Sequence, residues 1–197
     1  GAGKTTILRM MYCFYPLTGG EISVFGRDVK KEPRRIKELI GVVPQENNLD
    51  EALTVFENLM VYARYFNIPK KVARERAEEL LTFVQLDGRR NSGIRELSSG
   101  MMRRLVVARA MLNHPRIIIL DEPTTGLDPQ ARHLIWQRLR SLKRSGVTLF
   151  LTTHYMEEAA QLCDRVAVID EGNFLVEGNP AELVKQRVGR EVLEVQL

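Results

Sequence analysis

The chain has 197 residues, 44% of them hydrophobic and 27% charged, a composition typical of a globular domain large enough to bury a sizeable core. Its apolar runs are strand-sized and too short to span a bilayer, and its two cysteines argue against a disulfide framework and for a reducing compartment. The net charge of +4 comes from basic residues spread along the chain, which disfavours nucleic-acid binding. Because the chain starts with Gly1 and not with Met, we expect its natural N-terminus to lie upstream.

The predicted elements begin with a helix directly after the stretch GAGKTT, residues 1–6. Its predicted buried face consists of Ile7, Leu8, Met11, Phe14 and Tyr15. Residues 17–29 indicate a turn, a short strand and a second turn, and residues 39–45 a buried strand ended by Pro44. Residues 51–112 are mostly helical in pattern. The later elements are a strand at 117–120, a helix at 127–146, a strand at 147–153, a helix at 155–163, strands at 165–170 and 174–178, and a helix at 180–186.

This alternation of strands and helices predicts an α/β fold with a mostly parallel sheet flanked by helices on both faces. The helical block, about residues 48–112, interrupts the alternation and is predicted to be an inserted helical subdomain. Asp128 is the predicted N-cap of the helix that follows it, and Gly146 its stop signal.

GAGKTT matches the end of the phosphate-loop pattern G-x-x-x-x-G-K-[ST], whose first glycine would lie three residues upstream of Gly1. Gly1 and Gly3 allow a tight backbone curl, and the amides that begin the following helix would face phosphates. Lys4 can reach the β- and γ-phosphates, and the Thr5 hydroxyl can ligate Mg²⁺. The alternative is a glycine turn before a helix N-cap. The helix at the required place favours nucleotide binding.

A pair of carboxylates follows the apolar strand IIIL. Asp121 and Glu122 emerge at the C-terminal end of this strand, where ligands of open α/β sheets bind. Asp121 suits a Mg²⁺ ligand, and Glu122 suits a base that polarises an attacking water. An acidic turn that starts a helix is the alternative. The acid at Glu122 favours hydrolysis over binding alone.

A second loop, ELSSGMMRR at residues 96–104, places Ser98, Ser99 and Gly100 before another helix, which is a good arrangement for binding an anion. Together with the first loop it makes the chain resemble the ATP-binding cassette (ABC) ATPases, from Gly1 to about Gly189. GAGKTT is similar to the end of their Walker A motif, LSSGM to their signature loop and IIILDE to their Walker B strand. GVVPQE is similar to their Q-loop, GLDP to their D-loop and LTTHYMEE to their switch-histidine segment.

The resemblance implies a P-loop NTPase that binds ATP and Mg²⁺ and works as a head-to-tail dimer. The implied nucleotide contacts are Gly1, Ala2, Gly3, Lys4, Thr5 and Thr6. The implied metal ligands are Thr5, Gln45 and Asp121. The implied catalytic residues are Glu122 as the base, His154 on the γ-phosphate and Gln45 on the water. Ser98, Ser99 and Gly100 would cap the ATP of the second subunit, and Asp128 would line the dimer interface.

The sequence departs from this family at the signature, usually L-S-G-G-Q, where Ser99 and Met101 replace the third and fifth residues. If that position needs positive φ or close backbone approach, Ser99 carries a steric cost and weakens signature closure. The family's adenine-stacking aromatic and first Walker A glycine lie upstream of Gly1. We therefore expect residues 1–197 to be a single ABC ATPase domain that lacks its N-terminal strands.

Three longer stretches, at residues 40–69, 96–112 and 121–146, resemble cassettes of nodulation-type lipo-oligosaccharide exporters, within the wider group of drug-export ATPases. This resemblance implies an ATP-hydrolysing subunit that drives export through a separate integral membrane permease, at the cytoplasmic face of the membrane. The implied assembly is a homodimer without nucleic acid, and the exported molecule is a lipo-oligosaccharide or a drug.

Two other classes of function stay open. One is a soluble ABC ATPase that acts on nucleic acid or ribosomes, although such proteins usually carry two cassettes or long coiled-coil insertions. The other is a non-hydrolysing interaction module, which the presence of Glu122, Gln45 and His154 disfavours.

The segment 54–66 is apolar on two helical faces, one formed by Val55, Leu59, Tyr62 and Phe66 and the other by Phe56, Met60 and Ala63. A helix of this kind either docks a partner or lies in a crowded core. We predict that part of its surface receives a cytoplasmic helix of the permease, with a fully buried core helix as the alternative.

Overall fold

The computed structural model describes residues 2–188, so Gly1 lies outside the described residues. The described chain forms two compact units. The larger unit comprises residues 5–152, and the smaller one residues 2–4 and 153–188. The helices are α1 (Lys4–Met11), α2 (Pro33–Leu39), α3 (Val55–Tyr65), α4 (Lys70–Phe83), α5 (Ser99–Ala110), α6 (Pro129–Arg144), α7 (Met156–Leu162) and α8 (Pro180–Val188). The strands are β1 (Ser23–Val24), β2 (Arg27–Asp28), β3 (Ile40–Val43), β4 (Ile117–Asp121), β5 (Thr148–Thr152), β6 (Val166–Asp170) and β7 (Asn173–Gly178).

The sheet of the larger unit is parallel, in the order β3-β4-β5. Its central strand β4 is buried along its whole length, as expected of a strand covered on both faces. Val43 pairs with Leu120, and Asp121 with Thr152, so the three strands end at one edge. The parallel α/β sheet predicted from the alternation is confirmed.

The other strands form two antiparallel hairpins, β1-β2 in the larger unit and β6-β7 in the smaller one. Both turn residues have positive φ in each hairpin: Phe25 and Gly26 in the first, Glu171 and Gly172 in the second. Two-residue turns of this kind follow the right-handed twist of the strands, and a connection this short permits only antiparallel pairing. Among the described residues, these four strands therefore form two separate two-stranded sheets.

The first helix ends earlier than its apolar spacing predicted. The helix stops at Met11, and Cys13 takes a positive φ of 58°, which turns the chain away. Phe14 and Tyr15 are consequently exposed, at 64% and 40%, so the prediction that they belong to the buried face is wrong. Instead the Arg9 guanidinium donates a 2.9 Å hydrogen bond to the Tyr15 hydroxyl.

Helices α3, α4 and α5 pack around one apolar cluster, which gives the predicted helical block its own core. Thr54 begins α3 with a capping box, in which its hydroxyl accepts from the Glu57 amide and the Glu57 carboxylate accepts from the Thr54 amide. The buried members of the cluster are Val55, Leu59, Ala63, Ala73, Ala77, Leu80, Leu81, Val84, Leu86, Ile94, Leu97, Leu105, Ala108 and Leu112. That this helical block forms a subdomain distinct from the sheet stays a prediction.

Both apolar faces of α3 pack inward. Val55, Leu59 and Ala63 are buried, and the other predicted members that contact the cluster are partly buried: Phe56, Met60 and Tyr62. Packing in the core therefore explains why most of these α3 side chains are apolar. The apolar side chains that α3 leaves exposed are Val61 and Tyr65, at 37% and 77%.

Candidate functional site

The hydroxyl of Thr5 donates a 3.0 Å hydrogen bond to Oδ1 of Asp121, across 116 residues of sequence. The same Oδ1 accepts a 2.6 Å bond from the hydroxyl of Thr152. Asp121 is 6% exposed, so its carboxylate is fixed by partners rather than by solvent. Thr5 and Asp121, which were predicted from separate motifs, are thus in direct contact.

Strand register explains this meeting. Asp121 and Thr152 are paired neighbours at the last positions of β4 and β5, where both chains leave the sheet. Helix α1 begins with Lys4, and its second residue, Thr5, reaches the same edge. Polar side chains gather there because the carboxyl ends of parallel strands share one edge, the edge at which ligands of such sheets bind.

The donor set at this edge fits Mg²⁺. A hydroxyl and a carboxylate are hard oxygen ligands, the kind that Mg²⁺ prefers. Thr5 and Asp121, which share a hydrogen bond here, would supply one of each. Within residues 2–188 no group of three or more His, Cys, Asp or Glu side chains is placed to hold a metal. A Mg²⁺ ion here therefore needs phosphate and water oxygens to complete its shell.

Glu122 and Gln45 face each other beside this cluster. The Gln45 amide lies 3.4 Å from Oε2 of Glu122, and the Thr125 hydroxyl donates to the same oxygen at 3.1 Å. Gln45 is exposed and Glu122 half-buried, so a carboxylate and an amide meet where solvent water can reach both. Such a pair can orient a water and accept its proton.

The backbone of Glu122 is strained. Its φ is +46°, in the left-handed region that favours glycine. Such a conformation costs on the order of 1–3 kcal/mol and persists only where the surroundings impose it. The Glu122 amide donates to the Thr152 carbonyl at 3.1 Å, and its own carbonyl accepts from Arg103 at 3.2 Å. These contacts hold the turn that aims the carboxylate.

Arg103 is a site residue that motif reasoning missed. It lies on α5, is 4% exposed, and its guanidinium donates to backbone carbonyls of both loops that carry Gln45 and Glu122. The acceptors and distances are Pro123 at 2.7 Å, Pro44 at 2.5 Å, Gln45 at 3.3 Å, Asp121 at 3.0 Å and Glu122 at 3.2 Å. Its neighbour Arg104 looks equivalent in sequence, and the two differ only in the side of α5 from which each side chain extends.

Thr152 is a second site residue that motif reasoning missed, because an isolated threonine in a strand carries no motif.

The second loop sits at the start of α5. Ser98 is the N-cap, with its hydroxyl 3.3 Å from the Met101 amide, and both Ser98 and Ser99 are exposed. Ser99 is the first helical residue and has no positive φ, so the first condition for a costly serine is not met. The second condition, close backbone approach, stays a prediction. Gly100 is buried, and a Cβ there would lie 2.8 Å from Cβ of Ala131 on α6. Close helix packing therefore requires that glycine.

Asp128 is confirmed as the N-cap of α6, since its Oδ1 accepts a 2.9 Å bond from the Ala131 amide. Thr6 is exposed on α1. The other predicted site residues, Ala2, Gly3, Lys4 and His154, belong to the smaller unit. There Gly3 has a φ of +89° directly before α1, and the His154 ring lies 4.2 Å from the Tyr155 ring, centroid to centroid.

In residues 2–188, no helix has both the length and the apolar character needed to cross a membrane. The family model described as "ABC transporter" matches residues 1–125, which is more than half of the chain. Several relatives carry the name Nod factor export ATP-binding protein I. The one from Ralstonia nicotianae is 49% identical over 99% of this chain and 61% of its own length, and one from Burkholderia pseudomallei is 49% identical over 99% of this chain and 64% of its own.

Solved structures are similar over most of the chain. The dimeric ATP-binding cassette MJ0796, in a post-hydrolysis state with ADP and Pi, matches with a TM-score of 0.81 and 29% identity, covering 91% of this chain and 81% of that one. The protein cbiO1 from Clostridium perfringens, part of the ABC transporter complex cbiONQ, matches with a TM-score of 0.83 and 26% identity, covering 95% and 80%. The chain spans about three fifths of the length of the curated relatives it matches.

Proposed function

This chain belongs to the ABC transporter family, and on that premise we propose that it is the ATP-binding and ATP-hydrolysing part of an exporter. The observation that carries the proposal is one edge of the sheet where Thr5 and Asp121 share a hydrogen bond and Gln45 faces Glu122. The first pair has the chemistry of a Mg²⁺ site and the second that of a water-activating site. Nucleotide binding alone does not require the second pair.

In the proposed reaction, a bound Mg²⁺ would supply positive charge that offsets the charge of the nucleotide phosphates. Thr5 and Asp121 would hold the ion, with Gln45 as a further ligand. The Glu122 carboxylate accepts the proton of the attacking water, and the Gln45 amide orients that water. By family likeness, Lys4 and the loop amides contact the phosphates, and His154 contacts the γ-phosphate.

We further propose that two copies pair head to tail. Ser98 and Ser99 are exposed at the start of α5, where helix amides and a serine hydroxyl suit the γ-phosphate of a nucleotide on the partner. The similar cassette bound to ADP and Pi is dimeric, which supports pairing of two copies. Asp128 would then line the interface while it caps α6.

An integral membrane permease is the proposed partner, because a similar protein is part of a transporter complex and the relatives are named for Nod factor export. Those names favour a lipo-oligosaccharide over a drug as the exported molecule, and export over an action on nucleic acid or ribosomes. Val61 and Tyr65 lie outside the two predicted faces, but they are the exposed apolar side chains of α3, and we propose them as the contact with a permease helix. Charge substitutions there should uncouple hydrolysis from transport and leave ATP binding unchanged, whereas unfolding would indicate a core role alone.

The decisive experiment is Glu122→Gln in the full-length protein. We expect hydrolysis to fall by at least about a hundredfold, while binding of a fluorescent ATP analogue is retained, because the variant keeps the shape and loses the base. Glu75→Gln, at an exposed position of α4, is the matched control. Unchanged hydrolysis in Glu122→Gln would remove the assignment of the base.

We also retain the proposed domain plan, a single ABC ATPase domain with a helical subdomain at about residues 48–112. The shared apolar cluster of α3, α4 and α5 supports it.

A further inference from the structure

Arg103 stands out among the buried charges because it serves two loops at once. Its side chain extends from α5 and is 4% exposed. One set of acceptors, Pro44 and Gln45, lies just after β3, and the other, Asp121 to Pro123, lies at the end of β4. These are the two backbone segments that carry the facing side chains of Gln45 and Glu122.

The chemistry of these contacts suits a guanidinium and no other side chain. Nε donates to one carbonyl and each Nη to two, so five carbonyl oxygens meet the five N–H groups of the planar fork. A lysine ammonium offers three donors from a single point and cannot span both loops. A buried charge is tolerated where it is well hydrogen-bonded, and oriented carbonyl dipoles supply that here.

Two of the five acceptors belong to the residues whose side chains form the proposed water-activating pair. Fixing the carbonyls of Gln45 and Glu122 to one rigid group sets the distance between their backbones. Glu122 also needs such a restraint, because its φ of +46° is unfavourable for a residue with a side chain. Without the guanidinium, the turn can relax and swing its carboxylate away from the Gln45 amide.

We propose that Arg103 is a positioning residue for hydrolysis: it holds the backbones of Gln45 and Glu122 in register and links them to α5, the helix that begins with Ser98 and Ser99. The link follows from the helix itself, since Arg103 lies about one turn after Ser99 and moves with the start of α5. This inference rests on the proposed ATPase function. Arg103 itself touches no reacting atom in this scheme.

Arg104 offers a matched control on the same helix. Its guanidinium also donates to two backbone carbonyls, Val84 at 2.7 Å and Gln85 at 3.2 Å, but these belong to the helical block and not to the site. R104M shows the effect of losing any arginine that binds backbone carbonyls from α5. A further effect seen only in R103M therefore comes from the contacts of Arg103 with the two site loops.

The test uses the full-length protein and measures kcat and KM for ATP, binding of a fluorescent ATP analogue, and the Tm, with rates taken at equal distance below each variant's Tm. For R103M we expect kcat to fall about a hundredfold while KM stays within about twofold, because misplacing a catalytic group by an ångström has an effect of this size. R103K should lie between R103M and the unmodified protein. R104M should lower the Tm without a comparable loss of kcat.

Amide hydrogen exchange supplies a readout that does not depend on activity. Peptides covering residues 44–46 and 121–124 should exchange faster in R103M than in R104M. Equal kcat losses in R103M and R104M, or unchanged exchange in both segments, would overturn the positioning role. If the unmodified protein hydrolyses no ATP, the proposed function fails instead, and the exchange measurement still reports whether Arg103 holds the two loops.

Discussion

The Thr152 hydroxyl donates a 2.6 Å hydrogen bond to Oδ1 of Asp121, and Thr5 donates to the same oxygen at 3.0 Å. One carboxylate oxygen thus faces a strand neighbour on one side and the first turn of α1 on the other. If Thr5 turns its hydroxyl toward a metal ion, Thr152 still holds the carboxylate. Thr152 is therefore the residue that keeps Asp121 oriented in both situations.

Thr152→Val should raise the Mg²⁺ concentration needed for half-maximal hydrolysis by about tenfold, because residues that orient a metal ligand typically contribute 10–100-fold to metal affinity. Valine keeps the shape and removes the donor. The measurement is hydrolysis as a function of Mg²⁺ at fixed ATP. Thr148→Val, at the exposed start of the same strand, should leave the Mg²⁺ dependence unchanged, and an equal shift in both variants would contradict the prediction.

Gly100→Ala should destabilise the protein and slow hydrolysis through packing, since its Cβ would lie 2.8 Å from Cβ of Ala131. Overpacking of this kind costs about 1–3 kcal/mol. Adding Ala131→Gly makes room for the new methyl group, so the double variant should regain most of the lost free energy of unfolding in urea titrations. Recovery of stability without recovery of hydrolysis would show that Gly100 also acts on the nucleotide.

Ser99→Gly should leave the hydrolysis rate within about twofold of the unmodified protein. Ser99 begins α5 without a positive φ, so glycine has no backbone strain to relieve, and glycine keeps the helix amide that the proposed cap offers to the γ-phosphate, while Ser98 keeps its hydroxyl. Steady-state rates at saturating ATP check this. An increase of several-fold would restore the idea that serine restrains signature closure.

Gly41→Ala should destabilise the protein strongly, although it adds only one methyl group. A Cβ at Gly41 in β3 would overlap the carbonyl oxygen of Ala110 at the end of α5, a backbone atom that cannot rotate away, and would lie 3.3 Å from Cγ of Pro115. We expect a loss of about 2 kcal/mol or more in the free energy of unfolding. Gly88→Ala, where a Cβ meets nothing within 4 Å, is the control and should change stability little.

The capping box of α3 should make stability depend on pH. The Thr54 amide and hydroxyl donate to Glu57 and hold the pKa of its carboxyl below the ordinary value of 4.5. A lowered folded-state pKa stabilises the protein above pH 4.5, and this contribution is lost as the pH falls through the folded-state pKa. Glu57→Gln should therefore be less stable than the unmodified protein near neutral pH, with the difference vanishing in acid. A difference that stays constant with pH would contradict the ionic role.

The sequence by itself predicted most of the elements and which polar groups follow the strands, although it extended the first helix too far. Glycine, lysine and threonine before a helical pattern, and two acids after an apolar strand, indicated a nucleotide site because each spacing has a local physical reason. Asp128 as an N-cap followed in the same way, since a cap needs only its neighbours in the chain.

The tertiary structure decided what depends on contacts between distant residues. The roles of Arg103 and Thr152 come from the meeting of α5 with two strand ends and from the register of β4 with β5, and neither residue carries a local pattern. The exposure of Phe14 and Tyr15 likewise depends on a left-handed turn at Cys13 that apolar spacing does not encode. Local sequence sets which polar groups are present, whereas packing sets which of them form hydrogen bonds with each other. The reason is that a hydrogen bond between segments far apart in the chain depends on distances of a few tenths of an ångström.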